Sequence, residues 1–384
     1  MQVFDFICRS TMMSAPGLHG EFCTAVDNTP KNLCISATQI DCQQGPEAPN
    51  GHPTGLADVD MMPERQPPAT LHRYAIACVI ATWCLIFVGG LVTSTGSALA
   101  VPDWPLAFGH LIPQLVGGVR FEYGHRVAAA TVSLLTLILA VWSWRVEPRR
   151  WVRMLALAAF ALIIVQAVLG GITVLLELPL AIAVAHAATA QAFFCVMVTL
   201  AAMTNARWRA MPARAAPSSL RRLAAATTVV IYLQILVGAV MRHLGAGLAI
   251  PDFPLSYGRL VPPLDSGFVI INFAHRCGAV VVTVIVLWTV VSVRRFYRDD
   301  AWRRRPALAL LMLLVAQIML GALTVWSGRA VLPTTVHVAV GAAVLATSLL
   351  LTLRVCGGGA SVTGRARARV REFRDDPIQR QAQA

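Results

Sequence analysis

The chain carries eight apolar runs, near residues 73–97, 124–144, 152–175, 180–203, 222–243, 269–293, 307–327 and 332–354. A bilayer span needs roughly 20 mostly apolar residues, and every backbone N–H and C=O inside hydrocarbon has to be satisfied within its own helix. This one feature confines the fold to an all-α membrane protein of eight transmembrane helices. A hydrophobic fraction of 57%, against 13% charged residues, is that of a chain dissolved in lipid. The formal net charge of +13 suggests nucleic acid until the arginines are located. They fall in short clusters between apolar runs, so nucleic-acid binding is set aside and the partner is membrane lipid.

Those clusters also orient the chain. Arg145, Arg149, Arg150 and Arg153 follow the second run; Arg207, Arg209, Arg214, Arg221 and Arg222 follow the fourth; Arg294, Arg295, Arg298, Arg303, Arg304 and Arg305 follow the sixth. The tail adds Arg365, Arg367, Arg369, Arg371 and Arg374, whereas the odd-numbered loops hold only Arg120, Arg259 and Arg329. The positive-inside rule therefore places both termini and the even loops in the cytoplasm.

The chain repeats itself. Residues 88–106 read VGGLVTSTGSALAVPDWPL, and 149 positions later residues 237–255 read VGAVMRHLGAGLAIPDFPL. Glu122-Tyr-Gly-His-Arg126 then matches Asn272-Phe-Ala-His-Arg276, and Gln166-Ala-Val-Leu-Gly170 matches Gln317-Ile-Met-Leu-Gly321. Three matches in the same order exclude coincidence. Each copy holds four spans, an even number, so the halves share one orientation and are expected to be tandem four-helix bundles related by pseudo-two-fold symmetry along the membrane normal. The boundaries read as an N-terminal extension over 1–70, expected to be disordered, bundles over 71–205 and 206–355, and a basic cytoplasmic tail over 356–384. Met61 and Met62 offer an alternative start close to the first span.

Of nine histidines, five have ordinary readings: His19 and His52 in the extension, His72 flanking the first span, and His110 and His243 in or beside outer loops. The other four, His125, His186, His275 and His337, lie just inside the outer ends of even-numbered spans, with partners spaced 61 and 62 positions apart. One such histidine is most simply an interhelical hydrogen bond. Four at matched depth in two copies point to function, because ionisable groups in hydrocarbon are costly. Two imidazoles facing across a bundle suit a haem iron. Zinc would recruit further ligands, and a proton relay would place Asp or Glu deep in the spans. Gly170, Gly171, Gly321, Gly341, Ala187 and Ala188 would let a flat macrocycle approach the helices, although small residues also serve ordinary helix packing. Arg126 and Arg276, beside two of the histidines, are candidate propionate contacts. Glu122 lies one turn before His125, where the second copy has Asn272, so one half alone has a carboxylate beside its histidines. A helix-start charge stabilised by the dipole reads the same way.

These residues together, with the paired PDWPL and PDFPL loops and EYGHR, resemble the haem A synthase family over roughly residues 71–355. The resemblance implies oxidation of the C8 methyl group of haem O to a formyl group, making haem A for terminal oxidases. It implies a haem b cofactor on His275 and His337, the haem O substrate on His125 and His186, and a catalytic role for Glu122. Partners implied are haem O synthase and terminal-oxidase assembly factors, and a homo-oligomer is left open. The location implied is the plasma membrane of a bacterium, crossed many times. Some members carry a cysteine pair around the first outer loop; here Ala100, Val101 and Ala107 stand there, so a cysteine-free subtype is expected. The alternative reading is a bis-histidine b-type cytochrome for membrane electron transfer, which gives the Glu122/Asn272 difference no role.

Overall fold

A computed structural model describes residues 68–209 and 216–357. The extension, the loop around Arg214 and the arginine-rich tail lie outside the described residues. Eight long helices account for nearly all the rest: α1 (Ala69–Ser94), α2 (Val119–Val146), α3 (Arg150–Leu175), α4 (Leu180–Thr204), α5 (Ser218–His243), α6 (Gly267–Phe296), α7 (Ala301–Trp326) and α8 (Val331–Cys356). All eight are long and apolar enough to cross a membrane. Among the described residues there is no strand, only two isolated bridges in the long loops.

The helices overrun the apolar runs, mostly at their basic ends, because hydrogen bonding continues past the hydrocarbon boundary. α7 begins at Ala301 rather than near 307: Asp300 caps it by accepting from the Trp302 and Arg303 amides at 3.0 and 3.3 Å, leaving fewer orphan donors. Pro306 sits inside this helix without an N–H, so the carbonyl four residues back, that of Trp302, loses its usual donor. The Arg354 Nη1 donates to that carbonyl instead, at 2.6 Å. Arg303 returns the tie with an Nε bond of 2.9 Å to the Arg354 carbonyl. Two arginines thus lock α7 to α8 at the end read as cytoplasmic.

α1 packs on α2 and α4, with α3 between α2 and α4, so the first four helices close a ring; α5 to α8 close a second ring in the same order. The rings meet where α8 packs on α1 and α4, and α4 on α5. Trp83 Nε1 donates to the Ala339 carbonyl at 2.8 Å and the Tyr232 hydroxyl to the Ala188 carbonyl at 3.0 Å across this seam. α8 is the most enclosed of the eight helices, as its place against both rings requires. A cluster around Phe193, Met197, Leu200 and Met203 fills the first ring, and one around Leu310, Val286, Leu345 and Leu351 fills the second.

Candidate functional site

Each of the four histidines lies against a glycine of the helix that precedes it. A Cβ built on Gly89 of α1 would stand 3.0 Å from Cε1 of His125, on Gly170 of α3 3.1 Å from His186, on Gly238 of α5 3.0 Å from His275, and on Gly321 of α7 3.3 Å from His337. Ordinary carbon contacts are about 3.5–4.0 Å, so only glycine lets these rings seat where they do. His125 and His186 are close enough to act on each other electrostatically, and so are His275 and His337. The structure therefore brings the residues together in the two pairs read from spacing. Among the described residues no three His, Cys, Asp or Glu converge as a metal site.

Three of the histidines have a glutamine beside them that the sequence reading did not assign. Gln166 Nε2 donates to the His186 carbonyl at 2.9 Å and lies 3.4 Å from its ring. Gln234 Nε2 donates to the His275 carbonyl at 2.7 Å and stands 3.0 Å from Nδ1. Gln317 Nε2 is 3.4 Å from the His337 ring. The signal was present: each glutamine precedes its glycine by four residues, so both lie on one helix face. At the fourth position the repeat puts Leu85, and His125 has no glutamine. The room differs to match, since a Cβ on Gly278 would come within 2.0 Å of Gln234 Oε1, and the counterpart of Gly278 is Ala128. The Nδ1 atoms of His125, His186 and His337 are buried without a hydrogen-bond partner. Such atoms are expensive unless a bond satisfies them, so these three rings are not settled by the protein's own hydrogen bonds.

The loops following α1 and α5 fold alike over the ends of the pairs. Phe108 and Gly109, and likewise Tyr257 and Gly258, have positive φ of 53°, 73°, 56° and 70°. That is the two-residue turn that favours glycine at its second place. Asp103 accepts from the amides of Phe108 and Gly109 at 2.7 and 2.8 Å, and Asp252 from those of Tyr257 and Gly258 at the same distances. These donors, Gly109 and Gly258 foremost, hold both carboxyls below the usual carboxylate range. Trp104 lies flat on Gly171, where a Cβ would stand 2.5 Å from its ring. Phe253 meets Trp326 edge to face at 6.1 Å.

Arg126 and Arg276 hold these loops down. Arg126 donates to the carbonyls of Asp103, Leu106 and Val101 at 2.7, 2.9 and 3.1 Å, and Arg276 to those of Asp252, Leu255 and Ile250 at 2.8, 2.9 and 2.9 Å. Glu122 is buried, 4% exposed, with one oxygen on Arg126 Nη2 at 2.7 Å and the other on the Val101 amide at 2.8 Å. Asn272 does the same work differently. Its oxygen accepts from Arg276 Nε at 3.1 Å and its amide donates to the carbonyls of Ala246 and Gly247 at 2.8 and 3.2 Å. His243, set aside as a loop neighbour, ends α5 within electrostatic reach of His186.

The family model of the COX15-CtaA cytochrome oxidase assembly proteins matches residues 119–349. The chain is 35% identical over 262 residues to the heme A synthase of Symbiobacterium thermophilum, covering 66% of this chain and 83% of that protein. It is 30% identical over 279 residues to the heme A synthase of Alkalihalophilus pseudofirmus, covering 70% and 91%, and 29% identical over 264 residues to that of Listeria welshimeri, covering 67% and 86%. With both histidine pairs, three of their glutamines and one arginine-tied loop inside the matched segment, the chain belongs to the COX15-CtaA family of cytochrome oxidase assembly proteins.

Proposed function

We propose that this protein is a haem A synthase, a membrane oxidoreductase that converts the C8 methyl group of haem O to a formyl group. The observation that carries the reading is the four glycine-seated histidines in two pairs, with Glu122 beside one pair and Asn272 beside the other. The names borne by its relatives favour this reading over a bis-histidine cytochrome.

In this reading His125 and His186 hold the haem substrate in the N-terminal bundle, and His275 and His337 hold haem b in the C-terminal one. The buried ring nitrogens and the glycine seats support the fit. Bound there, haem b supplies one-electron transfer. The chain's own contribution is to fix the rings, to exclude bulk water beneath the arginine-tied loops, and to handle protons near the oxidised carbon. Glu122 is the group assigned to that last task. It is acceptor-capable, sits at the outer end of the substrate pair, and is already polarised by Arg126. Four of the five donors of Arg126, and four of Arg276, are engaged within the protein. One N–H on each is left for a propionate. The even loops and termini face the cytoplasm of a plasma membrane.

The test is identification of the haems extracted from purified protein made in cells that supply haem O. Haem b together with haem O or haem A supports the reading; haem b alone would return the chain to the cytochromes.

A further inference from the structure

The two bundles differ at three places that bear on how firmly each holds a macrocycle. Gln234 buttresses His275 where the first half has Leu85. Arg242 lies in the last turn of α5 where α1 has Thr93, whose hydroxyl turns back to its own helix at Gly89, 3.2 Å away. Arg329 follows α7 where α3 is followed by Leu178. Leu178 and Arg329 share one backbone geometry, with φ of 65° and 67° and amides bonded 2.8 Å from the carbonyls of Thr173 and Thr324. A left-handed conformation is uncommon for side chains of this size. The second copy keeps it and exchanges an apolar side chain for a cation.

Arg242 lies one helical turn past Gly238, the glycine that seats His275, and Arg329 lies over the turn that follows α5; the two are within electrostatic reach of each other, and Arg242 of His337. One nitrogen of Arg242, Nη2, donates to the Gly90 carbonyl and to Ser94 Oγ, both at 2.8 Å, tying α5 to α1. Arg329 is exposed and lies over the short turn Ala246–Leu248, its Cδ 3.5 Å from a Cβ built on Gly247. The ion pairs among the described residues, Glu122–Arg126, Glu147–Arg149 and Asp300–Arg303, include neither of them. Asp252, the carboxylate of the adjoining loop, acts on Arg276. Two guanidiniums on neighbouring elements, in no ion pair with an acid among the described residues, have the charge and the forked donors that suit carboxylates.

We propose, on the haem reading above, that Arg242 and Arg329, beside the one N–H that Arg276 keeps, receive the propionates of the macrocycle held between His275 and His337, and that with Gln234 they make the C-terminal bundle the half that retains its haem. The first half, with Leu85, Thr93 and Leu178, lacks all three devices and is built to let its macrocycle go. That is the difference a resident cofactor and a passing substrate require.

The test is haem release from the purified full-length protein in detergent. Ferric haem b passes to excess apomyoglobin, followed by loss of bis-imidazole low-spin absorbance. Charge-assisted hydrogen bonds are strong enough that losing one speeds release about tenfold or more, so Arg329→Gln and Arg242→Gln should each do so, with Arg329→Lys intermediate. Arg329→Gln is the clean arm, because that side chain is exposed and ties no helices together, whereas Arg242 does. Gln234→Leu should also release faster. Release from both arginine variants within twofold of the parent overturns the proposal while leaving the haem site standing. A parent protein without bis-imidazole haem overturns the haem reading and this proposal with it.

Discussion

Gly238→Ala isolates the contact on which the C-terminal site depends. The added Cβ would stand 3.0 Å from Cε1 and 3.3 Å from Nδ1 of His275. Against an ordinary carbon contact of about 3.5 Å or more, the ring has to retreat by about half an ångström. It is pinned on its Nδ1 side by Gln234 at 3.0 Å, so retreat would displace the ring proposed to hold the haem. Overpacking of this size costs about 1–3 kcal/mol. The alanine meanwhile favours the helix by roughly 1 kcal/mol over glycine, an effect present with or without haem. The expected outcome is haem b release faster by about five- to a hundredfold, with a weaker low-spin signal. Gly90→Ala is the matched control: its Cβ meets Thr335 at an ordinary 3.5 Å, and the second copy already has Ala239 there. Parent-like release from Gly238→Ala, or equal damage from Gly90→Ala, would refute the glycine-seat argument.

Three further outcomes follow from the loops and the charge pattern. Reporter fusions at positions 110, 178, 260 and 330 should report the outer compartment and those at 148, 212 and 300 the cytoplasm; an inner signal at 110 or 260 overturns the orientation. Asp103 and Asp252, outside the spans, have carboxyls depressed by the Gly109 and Gly258 amides. A depressed folded-state value means their stabilisation is complete above the unfolded value near about 4 and is lost as pH falls through the lower folded one. Hydrogen-exchange protection at Gly109 and Gly258 should therefore hold down to about pH 5 and fall below about 4, and loss already near neutrality contradicts the assignment. Glu122→Gln keeps the shape and a carbonyl acceptor for Arg126 but loses proton acceptance. Cells making it should accumulate haem O or a hydroxylated intermediate, and normal haem A would reduce Glu122 to a loop tie like Asn272.

The spans and the histidine pairs were legible because each leaves a local mark: an apolar run of fixed length, and a residue costly in hydrocarbon at a repeated depth. What escaped depends on how helices rotate against one another. Gln166 and Gln317 stood inside the matched repeat and Gln234 one turn before a repeated glycine, yet their contacts with the next helix's histidine appear only once the faces meet. The arginine pair of EYGHR and NFAHR was read toward propionates. The structure instead spends most of their donors on loop carbonyls, acceptors that every residue carries and no sequence pattern marks. Glu122 was read from its spacing to His125, and its second partner, the Val101 amide, comes from a loop whose path the sequence does not announce. Arg242 and Arg329 were visible only as departures from the repeat, and nothing local distinguished them from interface anchors.

The most direct test of the central claim compares four single replacements, His125→Ala, His186→Ala, His275→Ala and His337→Ala, by absorbance of purified protein and by haem extraction. Loss of His275 or His337 should remove the low-spin haem b signal. Loss of His125 or His186 should leave most of that signal while stopping conversion of haem O. If all four replacements remove the same spectral component, the assignment of cofactor to one bundle and substrate to the other is wrong.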